Sequence, residues 1–364
     1  MERGKAGMDV RALVLCASRG TRLRPLTHTW AKASLPVAGR PIWQHIFSYL
    51  AAHGFDEIGV VVGPGQEELA RSVKRWSPQR VTVILQAEPA GIAHAVAAAR
   101  PFLADQPFLL YLGDNLTNAD LGPALRRFRA EAPSALITLQ RVADPRTFGV
   151  AVLDGGRVTA VAEKPAEPTS DLAIAGIYFF SPEVHAAIAG LTPSARGELE
   201  ITDAIARLIA GGRIVLGHEL SGWWVDAGTA AGLLAANARL LEALAPGVDP
   251  TAVLEGVEME GPVVVGPSAV LRRVRLRGPA FVGPGCRLTD AEVGPATSVG
   301  AGAELEGVRV WNSILLPGSR LAGPGLCLAD SVVGAGATVS ASPEGPATLV
   351  VGDDAHLAIP PRPR

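Results

Sequence analysis

Lysine is nearly absent from this chain: Lys5, Lys32, Lys74 and Lys164 are the four in 364 residues, against 29 arginines. An ammonium is a compact point charge that a guanidinium replaces poorly at a crowded phosphate, so the positions of the few lysines carry information. Net charge is also lacking. A formal balance of -2 argues against bulk nucleic-acid or membrane-surface binding. Cysteine is scarce, and Cys16, Cys286 and Cys327 are odd in number and far apart. That excludes a disulfide framework and shows no metal-ligand spacing, which fits reduced thiols in a cytoplasmic protein. No apolar run reaches the ~18–20 residues of a membrane span. The segment Met1 to Asp9 is polar and lacks the apolar core of a signal peptide.

The most informative stretch is Leu15-Cys-Ala-Ser-Arg-Gly-Thr-Arg-Leu-Arg-Pro-Leu-Thr27, continuing to Lys32 and Val37. It follows an apolar run, Ala12 to Cys16, that reads as a buried parallel strand. It then breaks into small residues and carries Arg19, Arg22, Arg24 and Lys32. Exposed backbone amides beside such cations suit a polyphosphate.

From about Val10 to Leu244, short apolar runs alternate with helical patterns. Strands are predicted at Ala12–Cys16, Ile58–Val62, Val81–Leu85, Phe108–Leu112, Ala135–Leu139, Val158–Val161 and Ile174–Phe180. Helices are predicted at Ile42–Ala52, Glu67–Trp76, Ile92–Leu103 and Leu121–Ala130. The alternation implies an α/β fold, a Rossmann-like and mostly parallel sheet with helices on both faces. Ligands in such sheets bind at the carboxyl ends of strands, where both the basic loop and Gly113-Asp114-Asn115 fall.

Residues 245–258 read as a linker between a domain at 10–244 and a second at 259–356. In the second, helical patterns vanish and Gly and Pro rise. Val265, Val282, Val299, Leu316 and Val333 each open a similar tripeptide, 17 residues apart. Apolar pairs such as Leu271 and Leu276, Leu288 and Val293, and Leu305 and Val310 lie between them. This period predicts a triangular parallel β-helix of hexapeptide-like units. The end, Ile359 to Arg364, is expected to be unstructured.

Several separated motifs then match one family in order. They are Gly20-Thr-Arg-Leu-Arg-Pro-Leu-Thr-His-Thr29, Gln86-Ala-Glu-Pro-Ala-Gly-Ile-Ala-His94, Tyr111-Leu-Gly-Asp-Asn115, Asp144-Pro-Arg-Thr-Phe-Gly-Val150, Glu163-Lys-Pro165, Ser194-Ala-Arg-Gly-Glu-Leu-Glu-Ile-Thr-Asp-Ala204 and Trp223-Trp-Val-Asp-Ala-Gly-Thr229. On these the chain resembles the sugar-1-phosphate nucleotidyltransferases, most closely the long glucose-1-phosphate thymidylyltransferases with a C-terminal left-handed β-helix.

The resemblance implies that a nucleoside triphosphate and a sugar-1-phosphate become an NDP-sugar and pyrophosphate, with dTTP and glucose-1-phosphate the expected pair. It implies Arg22 and Lys32 at the triphosphate, and Lys164 and Arg196 at the sugar phosphate. Leu15, Ala17, Gly20, Thr21, Gln86, Pro89, Gly91 and Asp114 would line the nucleotide site. Asn115, Gly149, Glu163, Ile174 and Gly176 would meet the sugar, with Glu198 a further acceptor. Asp114 and Asp226 would hold Mg2+, whose hard-oxygen preference suits carboxylates. His94 is expected on a helix face, and Trp223 and Trp224 in a core or pocket wall. Assembly into a homo-oligomer is expected of the repeat domain.

The chain also departs from the family. Ala17 and Ser18 replace paired glycines, where a side chain demands strained dihedrals or crowds the nucleotide. Ala33 and Ser34 follow Lys32 in place of a glutamine and an aliphatic residue. Both departures touch the nucleotide side. They leave open a UTP- or GTP-dependent enzyme for another sugar phosphate, or a non-catalytic sugar-nucleotide-sensing paralogue. An acyltransferase in the repeats would need a histidine base, and only His356 follows His218.

Overall fold

The computed structural model describes residues 10–341 and 346–359. The segment before Val10 and the residues after Ile359, expected to lack a signal core and to be unstructured respectively, lie outside the described residues. Contacts divide the chain into two compact units, Met1–Arg19 with Trp43–Trp224, and Gly20–Ile42 with Val225–Arg364.

The first unit holds a nine-stranded sheet. In chain order its elements are β1 (Arg11–Leu15), α1 (Ile42–Ala52, shared at its first residue with the second unit), β2 (Glu57–Val62), α2 (Glu67–Trp76), β3 (Arg80–Leu85), α3 (Ile92–Ala98), α4 (Arg100–Leu103) and β4 (Phe108–Leu112). There follow α5 (Gly122–Glu131), β5 (Ala135–Arg141), β6 (Gly149–Asp154), β7 (Arg157–Glu163), β8 (Leu172–Phe180), α6 (Val184–Ala189), α7 (Ile201–Ala210) and β9 (Val215–Glu219). The predicted helix over 92–103 is split, because Pro101 has no amide to continue the ladder.

The strand order is β3-β2-β1-β4-β8-β5-β9-β7-β6. Seven of the nine strands point the same way, in line with the expected mostly parallel sheet, and β7 and β8 are the exceptions. β3, β2, β1 and β4 run parallel, but β8 pairs antiparallel with both β4 and β5, and β7 antiparallel with β9 and β6. The sheet is mixed because β6 and β7 form a hairpin that reverses the chain before β8. All nine residues of β8 are buried, so its composition carries no sign of direction. Helices cover both faces. Tyr178 and Phe180 join a core with Ala93 and Val96 of α3 and Ile201 and Ile205 of α7. Phe179, on the other face by strand alternation, meets Phe128 of α5 with ring centroids 5.5 Å apart.

The second unit combines residues 20–42, the helix α8 (Ala230–Glu242) and stacked tiers of short parallel strands. One ladder runs through Val263–Val265, Ala280–Val282, Thr297–Val299, Ile314–Leu315, Val332–Val333 and Val350–Val351. A second stacks Leu271, Leu288, Leu305, Leu321 and Val339 in register, and a third stacks Leu276, Val293, Val310 and Leu328. All nine of these side chains are at most 1% exposed, so each tier buries its apolar residues only against its neighbours. Strands already occupy Gly247–Val248, Val253–Glu255 and Glu258–Glu260, inside the stretch whose composition reads as a linker.

The strict 17-residue period holds only at first. Val299 pairs with Leu315, not Leu316, and Leu315 pairs with Val333 and Val333 with Val351. One tier is therefore a residue short and the next two a residue long. The corner residues show the same steps: Ser268, Gly285, Gly302, Gly318, Gly336 and Asp354 all have φ between 53 and 70. Leu315 and Leu316 are equally buried, so hydrophobicity alone does not distinguish them.

Candidate functional site

The loop after β1 divides its residues between the two units, those up to Arg19 in the first and those from Gly20 in the second. In the second unit, Gly20 has φ 59, the left-handed region that favours glycine, and its carbonyl accepts a 2.7 Å hydrogen bond from Thr27 Oγ1. This turn places Thr21 and Arg22 in a short 3-10 segment, Thr21–Leu23. Arg22 Nη2 lies 3.6 Å from Asp226 Oδ2. Asp226 Oδ1 accepts from the Gly228 amide at 2.8 Å. A Cβ at Gly228 would come within 2.7 Å of Arg22 Nη2 and of Asp226 Oδ1, and 3.0 Å of Lys32 Nζ. Arg22, Lys32 and Asp226 therefore converge on one glycine. Lys32 is only 4% exposed, which is rare for lysine and expected only where the charge is compensated.

The feared backbone strain at Ala17 and Ser18 does not arise. Neither is among the described residues with positive φ; that conformation falls on Gly20. Ala17 is buried, and the Ser18 carbonyl accepts from Gln66 Nε2 at 3.4 Å. Ala33 is 1% exposed, so its methyl belongs to the interior.

The first-unit residues expected on the nucleotide side cluster around the ends of β1, β3 and β4. Leu15 ends β1, and its carbonyl accepts from Gly113 at 2.9 Å. Gln86, just beyond β3, is 4% exposed; its Nε2 bonds the Gly91 carbonyl at 3.1 Å and meets His94 Nδ1 at 3.0 Å. That pairing was invisible in the sequence, where His94 reads as a helix-face residue. The eight-residue spacing crosses a turn and a helix start, so no single periodicity reveals it. Pro89 lies in the same turn. Gly91 has φ 102, and a Cβ there would press on the Leu199 backbone.

Asp114 follows β4. Its Oδ1 accepts from Asn115 Nδ2 at 2.9 Å, while Asn115 Oδ1 accepts from Trp224 Nε1 at 2.8 Å. Trp224 therefore orients Asn115, beyond the wall role expected of it. A Cβ at Gly176, whose φ is 69, would stand 2.7 Å from Asn115 Nδ2. The Asp114 charge, after burial, helps push the Cys16 thiol up to about 12. Cys16 is thus a neutral core residue, not a nucleophile.

The residues expected on the sugar side form the third cluster. Glu163, at the end of β7, meets Arg196 Nη1 at 3.1 Å, Lys164 Nζ at 3.6 Å and Thr202 Oγ1 at 3.3 Å. A Cβ at Gly149 would lie 3.1 Å from Thr202 Cγ2, 3.2 Å from Ile174 Cδ1 and 3.3 Å from Glu163 Oε2. Arg196 also reaches Glu198 at 3.3 Å and Glu200 at 3.4 Å. Glu200 is 4% exposed, and burial raises its carboxyl above the usual range although Ser194 and Arg196 oppose the shift. Glu200 was missed in the sequence; its pattern Arg-x-x-x-Glu is common on any surface. Lys164 has φ 42, a costly conformation for a side-chain-bearing residue and one concentrated at functional sites.

Cation pairs beside oriented carboxylates, set at the ends of strands, suit two phosphorylated substrates. A nucleotidyl transferase family model matches residues 11–243. The chain belongs to the nucleotidyl transferase family. It is 42% identical over 276 residues to the glucose-1-phosphate thymidylyltransferase of Streptomyces griseus, covering 71% of this chain and 78% of that one. It is 38% identical over 223 residues to the UTP–glucose-1-phosphate uridylyltransferase AglF of Haloferax volcanii, covering 60% and 91% respectively. A solved structure assigned as a glucose-1-phosphate thymidylyltransferase from Bacillus anthracis, in complex with sucrose, superposes with a TM-score of 0.61 at 33% identity. That match covers 66% of this chain and 98% of the other. This nucleotidyl transferase is therefore an enzyme acting on sugar phosphates, in a family that generally uses a divalent metal. Among the described residues no group of three or more His, Cys, Asp or Glu could hold a metal by itself, and no helix is long and apolar enough to cross a membrane.

Proposed function

We propose that this nucleotidyl transferase joins dTTP and glucose-1-phosphate to give dTDP-glucose and pyrophosphate. A sugar-phosphate oxygen attacks the α-phosphorus, a new P–O bond forms, and the bond to the β-phosphate breaks. The attacking oxygen is already ionised at neutral pH, so the step needs no general base. It needs cations to bring two anions together and to take up charge on the leaving pyrophosphate. The observation that carries the reading is the convergence of Arg22, Lys32 and Asp226 on Gly228, a cationic group with an oriented carboxylate. The first is assigned to the triphosphate. Lys164 and Arg196 are assigned to the sugar phosphate, and Glu163 to sugar hydroxyls.

Gln86 supports the base assignment. Its Nε2 donates to Gly91 O and lies 3.0 Å from His94 Nδ1; with the His94 proton on Nε2, both amide hydrogens are engaged and Oε1 is left to accept. An acceptor there suits thymine or uracil, whose ring N3 carries a hydrogen, and opposes adenine and cytosine. The 42% identity to a thymidylyltransferase favours dTTP over UTP.

Asp114 and Asp226 are each assigned to Mg2+ on the family resemblance and on their hard carboxylate oxygens, which suit a cation that keeps waters and takes further ligands from substrate phosphates. Bound there, it would neutralise charge on the reacting phosphates. We further propose that the catalytic domain spans 10–244 and that the tiers wind as a left-handed parallel β-helix, as all-parallel ladders with 16- to 18-residue steps support. A cytoplasmic setting is consistent with three buried free thiols. Val248, Val253, Leu254 and Met259 are exposed on the first tier and support a homo-oligomer; sedimentation showing only monomer at micromolar concentration would remove that inference.

The test is pyrophosphate release with Mg2+, glucose-1-phosphate and each common nucleoside triphosphate. The expected order puts dTTP first and UTP second. No release with any triphosphate, across a panel of sugar-1-phosphates, overturns the reading.

A further inference from the structure

The loop that carries Arg22 and Lys32 belongs to the same compact unit as the strand tiers. Its tightest tie comes from the far end of the chain. Asp353, in the tier that ends the described stack, accepts from Thr29 Oγ1 at 2.6 Å and from Trp30 Nε1 at 2.7 Å through Oδ2. Its Oδ1 accepts from the Ala335 amide of the preceding tier at 2.7 Å. Next to it, a Cβ at Gly352 would stand 3.1 Å from Pro25 Cβ and 3.3 Å from Pro25 Cγ, so the tier lies directly against the Pro25 ring. Charge-assisted bonds of this length are the stronger kind, and one carboxylate here makes three.

The tie is close to the chemistry. Trp30 is two residues before Lys32, and the 3-10 turn Lys32–Ser34 begins right after Ala31. The other end of the loop is held separately. Asn237 of α8 accepts from the Ala38 amide at 2.8 Å and from Ser298 Oγ at 2.6 Å, and donates to Ala296 O at 2.9 Å. Gly39, with φ 78, lies under the ring of Phe281. The segment that presents the triphosphate cations is thus clamped at both ends by the tiers, with Asp353 the only carboxylate among these described clamps.

We propose that Asp353 is a positioning residue that fixes Trp30, and through it Lys32 and Arg22, for triphosphate capture. The proposal rests on the assignment of those two cations to the triphosphate. It gives the repeat tiers a part in the reaction beyond stability. Without the anchor, the loop must be ordered when the triphosphate binds, and that cost falls on one substrate only.

Two variants test this from opposite sides: Asp353→Ala, and the double variant Thr29→Val with Trp30→Phe, which leaves the tier intact. We expect each to raise the KM for dTTP about ten-fold while the KM for glucose-1-phosphate stays within two-fold, and to speed amide hydrogen exchange across residues 20–34. Equal changes in both KM values, or unchanged dTTP KM and unchanged exchange in both variants, overturn the proposal. If the unaltered protein turns over no triphosphate, the substrate assignment fails, and the exchange measurement still decides the anchor.

Discussion

Removing Arg196 should separate sugar-phosphate binding from nucleotide binding. Its guanidinium faces three carboxylates at once, Glu163 at 3.1 Å, Glu198 at 3.3 Å and Glu200 at 3.4 Å. Truncation to alanine has two consequences. First, a charge-assisted bond to the incoming phosphate is lost, a contribution of about 1.5–3 kcal/mol. That corresponds to a fall of roughly 10- to 150-fold in kcat/KM for glucose-1-phosphate. The KM for dTTP should stay within two-fold. Second, the three carboxylates lose their shared cation. Exposed pairs contribute ~0.2–1 kcal/mol and breaking a buried pair costs ~3–5 kcal/mol. With Arg196 40% exposed and Glu200 4% exposed, a stability loss of about 2 kcal/mol is expected, an intermediate figure between those limits. The pH dependence follows from Glu200. Burial raises its carboxyl above the ordinary glutamate value of 4.5, so the fold holds that proton more tightly than the unfolded chain does. Stability attached to this group is gained as pH falls through the window above 4.5 and lost as pH rises through it. Arg196 lowers the Glu200 pKa, so its removal deepens the effect. The stability gap between Arg196→Ala and the parent should therefore narrow as pH falls from neutrality. Urea unfolding at several pH values and initial-rate kinetics with each substrate varied read both consequences. A normal KM for glucose-1-phosphate, or a stability gap that widens on acidification, would refute the reasoning.

Asp114→Asn or Asp226→Asn should lower kcat by at least about 100-fold, since charge at the metal site is removed, while thermal unfolding moves little; near-normal turnover would sink the metal assignment. Gly228→Ala should cost about 10- to 100-fold in kcat because its methyl occupies the space where Arg22, Lys32 and Asp226 meet, and steady-state kinetics would show it. Leu305→Ala, in the centre of a ladder between Leu288 and Leu321, should destabilise the tiers by about 2–5 kcal/mol, measured by denaturant unfolding.

Legibility in the sequence followed the physics of each element. The strand Phe108–Leu112 and the helices Ile42–Ala52 and Glu67–Trp76 have their expected bounds. Glu67 and Glu68 at the start of the latter, and Lys74 and Arg75 at its end, complement the helix dipole and mark both limits. Strand direction was not legible, because a strand buried on both faces looks the same either way. The tiers were legible through apolar period, but the short tier ending at Leu315 was not, since two adjacent leucines satisfy the pattern equally. The cations and carboxylates of the site were read from motifs. Their supporting contacts, Gln86 with His94, Trp224 with Asn115 and Arg196 with Glu200, join residues whose spacing follows no helix or strand period.

The departures in the first loop become less troubling once the backbone is considered. A glycine is required where φ is positive or a backbone must be approached closely. In this loop the positive φ falls on Gly20, with φ 59, which is retained. Ala17 and Ser18 sit before that turn, where ordinary dihedrals serve. Ala33 is 1% exposed, so its methyl lies in the interior. On the proposed assignment of Arg22 and Lys32 to the triphosphate, the loop needs a fixed path between Gly20 and Lys32, since two cations directed at one leaving group lose their value if either wanders. That path is held by Thr27 on the Gly20 carbonyl and by Asp353 on Thr29 and Trp30. On the proposed role of Asp353, triphosphate capture should depend less on small residues at positions 17 and 18 than on contacts more than 300 residues away in sequence.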